Sequence, residues 1–150
     1  VVAPGINAKM NEVQAAFGLL QLKHVDQAIE RRKEIDSLYR KELADMKGIT
    51  LPPLPTNTRY NYAYFPILVE KEYPLTRDGL NEKLREHGII PRRYFYPLIS
   101  EFPMYRGLPS ASPENLPVAH KIAESVLCLP IYPALSDQEV KRIASFIKNG

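Results

Sequence analysis

Gly5-Ile6-Asn7-Ala8-Lys9-Met10-Asn11-Glu12-Val13-Gln14-Ala15-Ala16-Phe17-Gly18-Leu19-Leu20-Gln21-Leu22 is the stretch from which the fold is read. Asn11 followed by Gln14 makes a capping box, in which side chains satisfy the N–H groups orphaned at a helix start. Val13, Phe17 and Leu20 then repeat at helical spacing and form one apolar stripe. Ala15, Ala16 and Gly18 beside it are small enough for another helix to approach, although Gly18 costs about 1 kcal/mol of helix propensity. The helix is expected to end or bend near His24-Val25. A second is expected from about Asp26 to Met46, with Ile35, Leu38, Tyr39, Leu43 and Met46 inward and Glu30 to Glu34 in water. Gly48 stops it in the left-handed cap position.

Proline placement supports this division. Of 14 prolines, 13 lie in the last 99 residues and only Pro4 precedes residue 52, leaving 11–47 free for uninterrupted helices. Beyond the rigid turn Leu51 to Pro55, Tyr62 to Val69 is rich in aromatic and β-branched residues and is predicted as a strand, bulged or unpaired on one side at Pro66. A helix follows over Thr76 to His87, with Leu80 and Leu84 inward and Gly88 as its stop. Arg92 to Tyr96 is predicted as a second strand, Leu116 to Val126 as a helix carrying Val118, Ile122 and Val126, and Leu127 to Leu129 as a short buried strand. Ser136 with Glu139 forms another capping box, opening a last helix with Val140, Ile143 and Ile147 inward. The expected fold class is α+β: long N-terminal helices, then a small, mainly antiparallel sheet of three to four strands covered by helices. The Asn11–Met46 helix pair is too long to be covered by that small sheet alone, and one face of the first helix should need a partner.

Composition narrows the classes of function. The chain has 150 residues, a net charge of +3, 45% apolar and 25% charged residues, which are globular values. A sequence pI of 8.9 hints at anionic ligands, but acids and bases interleave as on a solvated helical face, so no nucleic-acid partner is expected. The longest apolar run, Val126 to Leu135, is far short of the roughly 20 residues of a membrane span, so a soluble, cytoplasmic protein without a membrane partner is expected. No export leader is visible, and the opening Val1-Val2-Ala3-Pro4 raises the expectation of a fragment. His24, His87 and His120 are scattered, and the single Cys128 has apolar neighbours, so neither a metal site nor a reactive thiol is expected.

Two places could hold a ligand. Asn7 and Lys9, an amide and an ammonium just ahead of a helix N-terminus, suit a phosphate; a capped loop without a ligand explains the same residues. In Pro91 to Leu98, a strand would put Arg92, Tyr94 and Tyr96 on one face and Arg93 and Phe95 on the other. Guanidinium forks and phenol hydroxyls on one face suit a phosphorylated, sugar-like ligand, and an arginine stacked on an aromatic at a surface edge explains the pattern equally well.

Gly5-x-Asn7-x-Lys9-Met10-Asn11-Glu12-x-Gln14-Ala15-Ala16-x-Gly18-Leu19-x-Gln21-Leu22 closely resembles a segment of the DegT/DnrJ/EryC1/StrS family, pyridoxal-phosphate sugar aminotransferases of the aspartate-aminotransferase fold. Three further stretches match in the same order: Asn61 to Phe65, the block from Gly88-Ile89 through Arg92-x-Tyr94-Phe95-Tyr96-Pro97-Leu98, and Pro117-Val118-Ala119 with Val126 to Pro133.

The resemblance implies that this chain is the C-terminal portion of an enzyme at least about twice as long. Residues 1–47 would be interdomain and dimer-interface helices carrying a cofactor-phosphate loop, and 48–150 a small α+β domain. The Schiff-base lysine and most contacts to pyridoxal 5′-phosphate would lie upstream, leaving no catalytic residue here. The family's Gly-x-Asn-x-Arg-Met loop reaches across a homodimer interface to the other subunit's cofactor phosphate. Carried over, Asn7 would donate its amide there, and Lys9 would keep the arginine's charge without its bidentate fork. Arg92, Tyr94 and Tyr96 would lie over a nucleotide-sugar substrate. Many relatives have a histidine after Pro-Leu where this chain has Ile99. The implied reaction passes an amino group, usually from glutamate, to a nucleotide-linked keto-deoxysugar, most commonly for surface polysaccharides. A sugar dehydratase of the same family, or a free-standing interaction module docking through the first helix, are the alternatives.

Overall fold

The computed structural model describes residues 8–150. Helix α1 (Glu12–Leu22) starts at Asn11, whose side chain accepts from the Gln14 amide while the Gln14 side chain accepts from the Asn11 amide, as expected. The chain breaks at Lys23-His24 and resumes as α2 (Val25–Glu42). This helix ends before Met46 because Asp45 adopts a left-handed conformation, and Gly48 (φ +80°) completes the reversal. Then come β1 (Ile49–Thr50), β2 (Phe65–Val69), α3 (Arg77–Glu86), α4 (Pro117–Ser125), β3 (Val126–Leu129) and α5 (Asp137–Lys148), with three short 3-10 turns between 99 and 115.

The three strands form an antiparallel sheet in the order β1-β2-β3, giving the expected α+β class. Pro66 lies opposite Cys128, whose own N–H and C=O both bond to Arg92. Pro66 therefore occupies a non-hydrogen-bonded position toward β3, and its missing donor points to the side that β1, pairing only with Val69 and Leu68, does not reach.

Two strand expectations need correction. The stretch predicted from Tyr62 enters the sheet only at Phe65, because Tyr62 has φ +51° and Asn61 Oδ1 accepts from the Ala63 amide, closing a turn. Of Arg92 to Tyr96, only Arg92 pairs, as an isolated bridge to Cys128; Phe95 at φ +45° turns the chain away. The pair β1–β2 was not foreseen, since two residues carry no period. Val126 belongs to β3, and Val118 on α4 is exposed.

One core joins these elements. Ile35 and Tyr39 of α2 and Leu43 just past its end meet Phe65 and Ile67 of β2, Leu80 and Leu84 of α3, Leu127, and Val140, Ile143 and Ile147 of α5. The Tyr39 and Phe65 rings stack at 4.7 Å, and the Tyr39 hydroxyl donates to the Pro130 carbonyl at 3.0 Å. Helix α1 contributes nothing to this core: it has no buried residue, and Val13, Phe17, Leu19, Leu20 and Leu22 are all exposed. Among the described residues nothing covers its apolar stripe.

Candidate functional site

Asn7 lies outside the described residues. Lys9 and Met10 are described: both are exposed, in an irregular segment leading into α1. The Asn11 cap accepts from the third helical amide, and the fourth, that of Ala15, bonds the Asn11 carbonyl. The amides of Glu12 and Val13 have no acceptor among the described residues. An ammonium and two open amides at the positive end of a helix are donors suited to a phosphate, with the Glu12 carboxylate the opposing charge nearby.

The second candidate region begins at Arg92, held by two backbone bonds to Cys128 at 2.9 and 2.8 Å. Since the segment is not a strand, Arg92, Tyr94 and Tyr96 do not share one strand face. Tyr94 instead packs edge-on against Tyr64 at 5.1 Å and Phe95 at 4.4 Å. Tyr96 lies under two guanidinium groups, those of Arg77 at 4.6 Å and Arg93 at 4.9 Å. Arg93, set on the opposite face from Tyr96 by strand alternation, is thus its neighbour, because the left-handed Phe95 undoes the period of two. What the structure brings together is a cationic–aromatic cluster of Arg77, Arg93 and Tyr96, with Tyr94, Phe95 and Tyr64 alongside.

Arg77 went unremarked in the sequence. It is the first residue of α3 and only 4% exposed, with Nη1 donating to the Ala123 carbonyl at 2.9 Å. Its Nε lies 2.8 Å from Asp78 Oδ1, and the same oxygen is 3.3 Å from Arg93 Nη1. A faint signal was available, because a cation in the first turn of a helix opposes the helix dipole and calls for a local reason. Asp36, 2% exposed on α2, was missed too. Burial pushes its carboxyl above the ordinary range, while Arg40 Nε, donating to Oδ1 at 2.7 Å, pulls the other way. Arg40 also donates to the Pro52 carbonyl, so this pair pins the proline-rich turn to α2.

No group of metal-binding residues occurs among the described residues, and none of the described helices is long and apolar enough to cross a membrane. Burial pushes the Cys128 thiol up to about 11, against the opposing effect of Arg92, so this is an inert core cysteine.

A model of the DegT/DnrJ/EryC1/StrS aminotransferase family matches residues 1–148. The chain is 53% identical over 147 residues to dTDP-4-amino-4,6-dideoxy-D-glucose transaminase of Escherichia coli, covering 98% of this chain and 40% of that protein. It is 43% identical to the transaminase of the same name from Shigella dysenteriae, covering 96% of this chain and 39% of that protein. Among solved structures, DesI in the presence of its TDP-sugar product superposes with a TM-score of 0.87 at 32% identity, covering 97% of this chain and 36% of that one. The chain therefore spans about two fifths of the length of the relatives it matches. A match along nearly the whole chain, on a small antiparallel sheet preceded by two helices, makes this polypeptide a member of the DegT/DnrJ/EryC1/StrS aminotransferase family.

Proposed function

We propose that this chain is the C-terminal part of a pyridoxal 5′-phosphate-dependent aminotransferase. The substrate would be a nucleotide-linked keto-deoxysugar, with glutamate as amino donor and surface polysaccharide as the destination of the product. The relatives' names support amination of a dTDP-linked 4-keto-6-deoxysugar over the dehydratase alternative. The observation that carries the reading is the pairing, on α1, of an exposed cationic segment at its start with an apolar stripe along it that nothing among the described residues buries. A loop bearing phosphate donors beside an uncovered helix face is what a subunit lending residues across a homodimer interface requires. Residues 1–47 would form that interface and residues 48–150 the small domain that frames the substrate.

When bound, the cofactor supplies an electron sink for moving the amino group, and this chain's residues bind and orient. Asn7 and Lys9 would hold the phosphate, the amide by a hydrogen bond and the ammonium by charge. Arg92, Tyr94 and Tyr96 would line the approach of the nucleotide sugar. Since Arg92 and Tyr96 do not share a strand face, they would meet the ligand from separate positions along the turn. No described residue is assigned a proton transfer.

The reading is tested by titrating cofactor into apo-enzyme carrying Asn7→Ala or Lys9→Ala. Loss of a charge-assisted hydrogen bond is expected to weaken cofactor binding about tenfold or more, with Lys9→Arg restoring it. Unchanged cofactor affinity in both alanine variants would refute the phosphate role.

A further inference from the structure

Tyr96 is held by Arg93 of its own turn and by Arg77 from outside it, and Arg77 is the more deeply placed. Burying a guanidinium is unfavourable unless its N–H groups are paired, and the first turn of a helix adds an opposing dipole. Arg77 is nevertheless 4% exposed. Its Nη1 donates to the carbonyl of Ala123 at 2.9 Å and approaches that of Val126 at 3.5 Å, where α4 passes directly into β3. The Ala123 carbonyl is among the last four of α4, which a helix leaves without intrahelical partners. The Arg77 guanidinium carbon lies 4.6 Å from the centre of the Tyr96 ring. Nε, 2.8 Å from Asp78 Oδ1, is out of line for a hydrogen bond, so Asp78 contributes charge at that point and shares the same oxygen with Arg93. Arg93 in turn covers the Tyr96 ring at 4.9 Å.

These contacts connect the start of α3, the α4–β3 junction and the turn at 93–96. Arg92 fixes one end of that turn through its backbone bonds to β3, and Arg77 with Asp78 fixes the other through Tyr96 and Arg93. A hydrophobic residue would fill the space of Arg77, and a lysine would supply its charge. Neither provides a flat cation that donates to carbonyls from its edge while stacking a ring on its face.

We infer that Arg77, working with Asp78, is a positioning residue that fixes Tyr96 and Arg93 for the nucleotide sugar. The inference rests on the proposed substrate role of Tyr96. Arg77 itself touches no substrate; it sets the ring plane of Tyr96, the residue proposed to meet the nucleotide sugar, and with Asp78 the direction of the Arg93 guanidinium that covers that ring.

The test compares Arg77→Lys, Asp78→Asn and Tyr96→Ala in the whole enzyme, measuring KM and kcat for a dTDP-linked keto-sugar, the amino-donor half-reaction alone, and thermal unfolding. For Arg77→Lys the expected result is a rise of about tenfold in sugar KM, the loss of one oriented cation–aromatic contact, with the donor half-reaction within about twofold of the parent. Asp78→Asn, at a half-exposed side chain, keeps the fold in case Arg77→Lys does not, and should raise sugar KM about threefold by releasing Arg93. If Tyr96→Ala raises sugar KM while Arg77→Lys and Asp78→Asn leave it unchanged, the positioning role is wrong and the substrate reading stands. A fall of equal size in both half-reactions marks a general structural effect and also overturns it. If Tyr96→Ala leaves sugar KM unchanged, the substrate reading itself fails and takes the inference with it.

Discussion

Replacing Phe17 with alanine separates a face that belongs to this chain's core from one that belongs to an interface. Phe17 is 63% exposed, at the centre of the α1 stripe. A phenylalanine buries about 150–250 Å² when fully covered, so roughly 95–160 Å² of this residue remains to be covered by something else. At about 25 cal/mol/Å², covering it contributes about 2–4 kcal/mol. In the isolated chain most of that stabilisation is missing, and alanine regains about 0.5 kcal/mol of helix propensity. Phe17→Ala should therefore change the stability of the isolated chain by no more than about 1 kcal/mol, within the range of surface substitutions. In the complete enzyme it should cost about 2–4 kcal/mol, visible as a lower unfolding midpoint and a dimer that dissociates at higher protein concentration. Urea unfolding of the isolated chain, beside sedimentation and thermal unfolding of the enzyme, measures both. A loss above about 2 kcal/mol in the isolated chain would mean that α1 packs inside it, and no loss in the enzyme would mean that the stripe is never covered.

Three further substitutions or reactions probe the rest of the chain. Gly48→Ala should destabilise the chain by at least about 2 kcal/mol in urea, because a Cβ at φ +80° is strained and would meet the backbone N and Cα of Tyr73. Asp36→Asn should alter the pH dependence of stability. The folded carboxyl titrates above its unfolded value, so its contribution is complete below the unfolded value of about 3.9 and is lost as pH rises through the folded one. The stability of the asparagine variant relative to the parent should therefore climb with pH across the carboxylate range and then level off; a flat difference in urea midpoints from about one pH unit below the unfolded value upward would contradict this. Cys128, with its thiol pushed up to about 11, should resist alkylation at neutral pH in the native chain and react promptly in denaturant.

What could be read in advance was what is encoded locally. The capping boxes at Asn11-Gln14 and Ser136-Glu139 and the stop at Gly88 each work within a few residues, and all appear where those residues stand, whereas α2 ends at Glu42, short of the stop expected at Gly48. The stripes of α2, α3 and α5 are buried because their spacing leaves one apolar face per helix. Strand reading failed where residue type and backbone disagree. Tyr62 and Phe95 have aromatic side chains typical of strands yet adopt positive φ, which residue type does not signal. Arg77 was hidden because its partner, the Ala123 carbonyl, is distant in sequence, and Asp36 because its i,i+4 pair with Arg40 has the spacing of an ordinary surface pair. The cofactor loop was legible only through resemblance, since an amide and a lysine ahead of a helix fit an empty capped loop equally well.

Subunit complementation tests the central claim most directly. One enzyme variant would lack the Schiff-base lysine, another would carry Asn7→Ala with Lys9→Ala, and each alone should be nearly inactive. If the loop before α1 serves the neighbouring subunit's cofactor, unfolding and refolding the two together should restore activity through mixed dimers, in which one site receives both an intact lysine and an intact loop. Mixed dimers that form, by sedimentation or tag-based capture, but remain as inactive as their parents would contradict the account.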